Sequence, residues 1–403
     1  MRTLLFFFAI IGCLLSINTI AASNERFQLA SKCPPSFELT NAGVCRLVNR
    51  YQFYDSVQGR GVGGTQTSLP EHRDGFSPAQ IDLGRYLFFD PALSKDGSVS
   101  CASCHQPDKG FSDDLDRSIG ITGEKVARSA PTLWNVAFLD KFFWDARANT
   151  LEQQAAGPLF DPMEMGNSPE QLLSTLADNK HYPRMFAQAF PDSSEIKLED
   201  IYLALTAFQT SLISLNSRYD QYAHGYHEAL TEKEQQGHNI FRSFVARCSE
   251  CHQPPLFTNN QVAVIGVAEA EGVPFDIGAE KTFEAKKLRG GFKVPTLRNI
   301  VKTAPYMHAG NFTKLRDSVE FYNKGRGHAV PKNEKLQLHW HIWEPELTEE
   351  ELDLIVEFLG ALTDESLTPA IPKTVPSGLA PIDEKYQASQ QKNNNNNQNQ
   401  TSE

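Results

Sequence analysis

Two segments of the form Cys-x-x-Cys-His constrain this chain more than anything else in it: Cys101-Ala102-Ser103-Cys104-His105 and Cys248-Ser249-Glu250-Cys251-His252. Each is the attachment signature of c-type haem, with two thiols placed to form thioethers to one porphyrin and an adjoining histidine to bind its iron. Cysteine and histidine are scarce, and both pentads run on into Gln-Pro, at Gln106-Pro107 and Gln253-Pro254. The competing reading is a pair of zinc or thiol-redox sites. Zinc asks for four ligands, and no further Cys or His pair of suitable spacing lies nearby. Two covalent haems are expected, and with them a redox function.

The remaining cysteines fit an exported protein. Met1-Arg2 precedes an apolar run from Leu4 to Leu15 and small residues at Ala21-Ala22, the layout of a signal peptide cleaved near residue 22. The run is too short for a stable membrane span. Ile11-Gly12-Cys13 loosely resembles a lipoprotein cleavage site, but apolar sequence continues past it. Of seven cysteines, Cys13 leaves with the signal and four serve the pentads. Cys33 and Cys45 are left to form a disulfide that ties down an N-terminal extension, residues 23–75. The net charge of −11 argues against nucleic acid or anionic membrane as partners and permits a basic redox protein. The Asn/Gln-rich run Gln390 to Gln400 predicts a disordered tail over residues 366–403.

Between these ends the chain repeats itself. Ser77-Pro78-Ala79-Gln80 and Thr231-Glu232-Lys233-Glu234 are capping boxes, each opening a helix that leads towards a pentad. The first helix carries Ile81, Leu83, Leu87 and Phe88, the second Ile240, Phe241, Phe244 and Val245. After the pentads, Ala130-Pro131-Thr132-Leu133-Trp134-Asn135 matches Val294-Pro295-Thr296-Leu297-Arg298-Asn299. Closing helices follow, one from Ile201 to Ile213 and one from the box at Thr348 through Leu359. The predicted fold is mainly α, with few or no strands: two c-type cytochrome domains, residues 76–225 and 226–365, related by internal duplication, each with one haem. Aligning Pro131 with Pro295 without gaps puts Trp144 on His308, Phe143 on Met307 and Pro158 on Tyr322.

With these motifs in hand, residues 76 to 363 resemble the bacterial di-haem cytochrome c peroxidase / MauG superfamily. The resemblance rests on Leu87-Phe88-Phe89-Asp90-Pro91, Phe143-Trp144-Asp145-Ala146-Arg147, Leu159-Phe160-Asp161-Pro162-Met163-Glu164-Met165-Gly166 and Ala304-Pro305-Tyr306-Met307-His308-Ala309-Gly310. Ala146 stands where the family usually has Gly. The resemblance implies that hydrogen peroxide reacts at the first haem, that electrons arrive through the second from a protein donor or substrate, and, with the signal peptide, a periplasmic location. Family peroxidases cap the first iron with a histidine soon after the pentad; here none occurs between His105 and His181. The second iron takes a distal methionine in the peroxidases and a tyrosine in MauG. Tyr322 matches that position, with Met307 as the rival. Thioether sulfur favours reduced iron, whereas a hard phenolate suits the oxidised states.

The resemblance further implies Glu164 as acid–base group, Gln154 as a polar neighbour and Trp144 as the bridge between haems. It also implies a calcium ion held through Asn135 and backbone carbonyls near Lys293 and Pro295. Splitting a peroxide O–O bond needs a proton taken from one oxygen and given to the other, which one carboxylate can do if burial raises its pKa. Pro162, Met163 and Met165 are its expected apolar neighbours. MauG has a tryptophan shortly before its second pentad, where Ala246 stands here. His308 reads as a residue near the second haem rather than a ligand. His339, Trp340, His341 and Trp343 read as local packing in preference to a docking surface, and His224 and His227 as a polar connection between domains. Three functions compete. They are a MauG-like enzyme oxidising a protein through the second haem, a cytochrome c peroxidase fed by a small cytochrome or cupredoxin, and a di-haem electron carrier that catalyses nothing.

Overall fold

The computed structural model describes residues 27–48, 68–270 and 273–381. The expected signal peptide and the Asn/Gln-rich run lie outside them. The described residues are mainly helical. The first half contains α1 (Pro78–Phe89), α2 (Cys101–Cys104), α3 (Leu151–Phe160), α4 (Pro169–Ala177), α5 (Tyr182–Ala189) and α6 (Leu198–Thr210). The second contains α7 (Arg218–Ala223), α8 (Glu232–Phe241), α9 (Cys248–Cys251), α10 (Ala279–Phe283), α11 (Leu315–Lys324) and α12 (Glu349–Gly360). Two antiparallel ribbons accompany them, β1 (Phe37–Leu39) with β2 (Cys45–Leu47) and β3 (Val262–Val264) with β4 (Gly291–Lys293). Among the described residues no helix is long and apolar enough to cross a membrane.

The three capping boxes form as expected. Ser77, Thr231 and Thr348 each accept from the backbone N–H three residues on, and Gln80, Glu234 and Glu351 accept from the cap's own N–H. What then fixes the packing is a glycine in each leading helix. A Cβ on Gly84 would lie 1.8 Å from the Ala204 carbonyl oxygen of α6, and one on Gly237 1.9 Å from that of Leu354 in α12. Both helix pairs approach to backbone contact only because these Cβ atoms are missing. Phe88, Phe111, Trp134 and Phe208 fill the first core; Tyr219, Phe241, Phe257 and Phe358 fill the second. Tyr219 and Ala223 of α7, which precede the boundary read at residue 225, pack with the second core. Phe244 and Val245 depart from expectation too. The α8 helix stops at Phe241, and Phe244 is 78% exposed.

Local geometry recurs at the spacing of the ungapped alignment. Asn135 and Asn299 share a left-handed conformation, φ 62° and 59°, and each opens a short 3-10 turn. Bridges join Phe142 to Ala148 and Tyr306 to Phe312. Phe143 and Met307 both have positive φ, and α3 and α11 occupy aligned residues.

Both ends of the described chain fasten to the first half. Cys33 and Cys45 are disulfide-bonded, and Cys45 packs with Phe76, Ile81 and Ala207. At the other end, residues 366–381 of the tail expected from residue 366 pack onto the first half. Val375 is buried in the first core. Asp90 accepts from Ser377 Oγ at 2.6 Å and from the Tyr182 hydroxyl at 2.6 Å. The Pro376 carbonyl accepts from Asn179.

Candidate functional site

Each pentad is a single helical turn, α2 or α9, with the histidine as its C-cap. His105 Nδ1 lies 2.9 Å from the Phe111 carbonyl oxygen and His252 Nδ1 3.1 Å from that of Phe257. A carbonyl can only accept, so Nδ1 carries the proton and Nε2 is the atom left for iron. Phe111 and Phe257 reach these places with positive φ, and the Pro131 and Pro295 carbonyls add a second acceptor to each ring. Burial holds both imidazoles below their ordinary pKa, His252 at about 4, which keeps them neutral as a ligand must be. The four pentad thiols are free, and burial pushes Cys101 and Cys248 up to about 12.

On the first side, α3 carries Gln154 and Pro158 one turn apart on one face, and the loop after it carries Glu164. The loop is held by its backbone. Ile121 N–H donates to the Glu164 carbonyl at 2.9 Å, and a Cβ on Gly120 would collide with the Met163 carbonyl at 1.7 Å. Glu164 is half-buried and bears electrostatically on both Cys101 and Cys104. Desolvation first, then the Asp161 carboxylate, raise its pKa to about 7 against an opposing pull from Arg147. Of its three expected apolar neighbours only Met165 is buried; Pro162 and Met163 face outward.

The second side is a cavity of about 250 Å³ whose wall includes Cys248, Cys251, His252, Tyr322, Met307 and Trp144. Tyr322 comes from α11; burial raises its pKa and the Cys251 and Cys248 sulfurs add to the shift, so the phenol faces the pentad. Met307 lies on the same wall, its carbonyl accepting from Ser129 Oγ at 2.9 Å. Trp144 Nε1 donates to the Ser129 carbonyl at 2.9 Å, on the strand of chain that leads to Pro131 and His105. The indole thus ties the wall of the second cavity to the segment that runs on to Pro131. His308 is not free to act as a ligand: it pairs with Glu269 at 2.7 Å and stacks on Phe292 at 3.9 Å.

Haem suits these residues. Two polar atoms of the second region, Trp343 Nε1 and His341 Nδ1, are buried without a partner among the described residues, as befits a wall completed by a bound group. Asn135 has structural work: its amide donates to the Ser214 carbonyl at 2.8 Å and its oxygen accepts from Ser214 N–H at 2.9 Å. Sequence reasoning missed two features here. Lys293, on the cavity wall, is held down at about pH 8 by burial. Arg128 joins Asp145 beside Trp144 to Asp276 in the second half, at 2.8 and 2.6 Å. Neither Asp lies near Arg128 in sequence, so no local signal announces the pairing.

Comparison with known proteins agrees with this geometry. Residues 78–228 match the family model for di-haem cytochrome c peroxidase. The chain is 33% identical over 309 residues to the cytochrome c551 peroxidase of Nitrosomonas europaea, covering 76% of this chain and 85% of that protein. It is also 33% identical over 299 residues to the methylamine utilization protein MauG of Methylorubrum extorquens, covering 74% and 82%. Among solved structures, a MauG-like protein associated with microbial copper homeostasis superposes with TM-score 0.68 at 32% identity, over 75% of this chain and 95% of that one. The di-haem peroxidase BthA of Burkholderia thailandensis does so with TM-score 0.63 at 28% identity, over 79% and 92%. The chain belongs to the di-haem cytochrome c peroxidase and MauG family of oxidoreductases.

Proposed function

We propose that this protein is a MauG-like member of its family, using hydrogen peroxide at the first pentad and drawing electrons through the second from a protein. The observation that carries the reading is the pair Pro158 and Tyr322. They occupy matching places on α3 and α11, and only the second of them offers an iron ligand. Cys101, Cys104 and His105 would hold one haem; Cys248, Cys251, His252 and Tyr322 would hold the other. The haems supply iron that exchanges electrons with peroxide. Protons are the chain's own business. Glu164, poised near neutrality, takes the proton from one peroxide oxygen and returns it to the oxygen that leaves as water, with Gln154 as a polar neighbour. Trp144 provides the path between the two sites.

The recurring geometry supports reading the halves as duplicated cytochrome domains, and the disulfide suits an exported, periplasmic protein. Calcium enters this reading through Asn135, whose oxygen keeps one lone pair beyond its bond to Ser214. Met307 on the same wall favours the second reading, a cytochrome c peroxidase fed by a small redox protein. Rapid mixing of the fully oxidised protein with one equivalent of peroxide and no donor separates the two. A prompt change in the visible bands of both haems supports the first. No change until the second haem is pre-reduced sinks it in favour of the other.

A further inference from the structure

The segment before the second pentad and the segment 339–343 meet on the surface around one guanidinium, where the Trp340 ring also lies 3.6 Å from that of His341. Arg247, adjoining Cys248, has a left-handed backbone with φ 56°, and its Nε donates to the Phe244 carbonyl at 3.0 Å. Its guanidinium carbon lies 4.3 Å from the Trp343 ring centre, 4.3 Å from that of Phe244 and 6.0 Å from that of Trp340. Trp343 is on the cavity wall with Cys248 and His252. Trp340 is 73% exposed. Its backbone is nonetheless fixed, since His339 N–H donates to the Val264 carbonyl at 2.8 Å and Ile342 N–H to that of His339 at 2.9 Å. A firmly held tryptophan with most of its surface in water forgoes the burial that normally retains it.

We propose that Trp343 and Trp340, joined through Arg247, form the route by which electrons pass between the protein surface and the second haem site. The inference rests on the di-haem reading above and adds the residues through which that site meets its donor. Indoles give up single electrons more readily than aliphatic groups do. The guanidinium is not oxidised; it fixes the two rings, and its charge over their faces keeps an oxidised indole from being a resting place. In turnover, peroxide takes two electrons and two protons and leaves as two waters, each electron arriving singly at Trp340 from an external donor. Without a donor Trp340 becomes the terminal reductant. Its indole loses two electrons and two protons, one C–H bond gives way to a C–O bond with water oxygen, and the net reaction is indole plus peroxide to oxygenated indole plus water.

The test treats the haem-loaded protein with peroxide in the absence of donor, following the visible spectrum and then mapping added oxygen by peptide mass spectrometry. Expected are oxygen addition concentrated at Trp340, its suppression in Glu164→Gln in step with the slower peroxide reaction, and a several-fold longer-lived oxidised spectrum in Trp340→Phe and Trp343→Phe. Trp340 is exposed, so its replacement does not disturb folding, which circular dichroism checks. A prompt spectral change that decays at the wild-type rate in both variants, with oxygen no richer at Trp340 than at exposed Met163, overturns the route and leaves the di-haem reading standing. Labelling of Trp340 that persists undiminished in Glu164→Gln also overturns it, as direct attack by free peroxide. No spectral change in the wild type overturns both.

Discussion

A carboxyl that titrates near neutrality can be acid and base in one cycle, and burial raises Glu164, the group proposed for that role, to about 7. Replacing it with Gln should slow the peroxide reaction about 10²–10⁴-fold, the usual worth of a positioned acid–base group, measured by stopped-flow absorbance. The first proton transfer needs the carboxylate, so the wild-type rate should rise with pH through about 7 and level off above; the variant should lose that limb. Stability runs the other way. The folded state holds this proton more tightly than the unfolded chain, so the contribution is complete below the ordinary carboxyl pKa and is lost as pH rises through about 7. Glu164→Gln should therefore gain in Tm relative to wild type at pH 8 and not at pH 4. At the other pentad, Tyr322→Met should raise the second site's reduction potential in a spectroelectrochemical titration, because thioether sulfur favours the reduced iron that phenolate disfavours. The two pentads were legible because motifs of scarce residue types name them, whereas Glu164 and Tyr322 were reached through the family resemblance alone. Their surroundings were not legible. Two of the apolar neighbours expected around Glu164 face solvent, and the carboxyl is nonetheless desolvated by burial.

Helix starts were readable because a cap is a local contract between residues three apart, and Ser77, Thr231 and Thr348 all keep it. Helix contacts were not. Gly84 and Gly237 look like ordinary helix-weakening residues until α6 and α12 are laid against them. Gly84→Ala and Gly237→Ala should each cost about 1–3 kcal/mol or more by forcing the helices apart, read from urea unfolding. Each should loosen only its own half, visible as a change confined to one haem's spectrum. The stop of α8 at Phe241 was equally hidden. Apolar spacing carries on to Val245, but the chain must turn through Arg247 to present Cys248, and that demand comes from the site.

Across the whole molecule the sequence yielded two cores and two sites, and missed what binds them. Arg298 stands where the alignment puts Trp134, fully buried, with its guanidinium on Asp220 at 2.5 and 2.7 Å. A fork of charge stands where the alignment pairs it with an indole, and no periodicity foretells it. The C-terminal segment was misread for a similar reason: Val375 and Ser377 are too few to make a pattern, yet they complete a core and a buried network at Asp90. Ending the chain at residue 365 should lower the unfolding temperature of the first half and spare the second, which differential scanning calorimetry would resolve as a split transition.

That strap also sets a timetable. Its contacts lie almost three hundred residues downstream of Asp90 in the chain, on the far side of the entire second half. The first core is therefore complete only once Val375 has been delivered, whereas the second half has all of its own core residues earlier. The half that would meet peroxide is thus the one whose core waits on residues from the far end of the described chain.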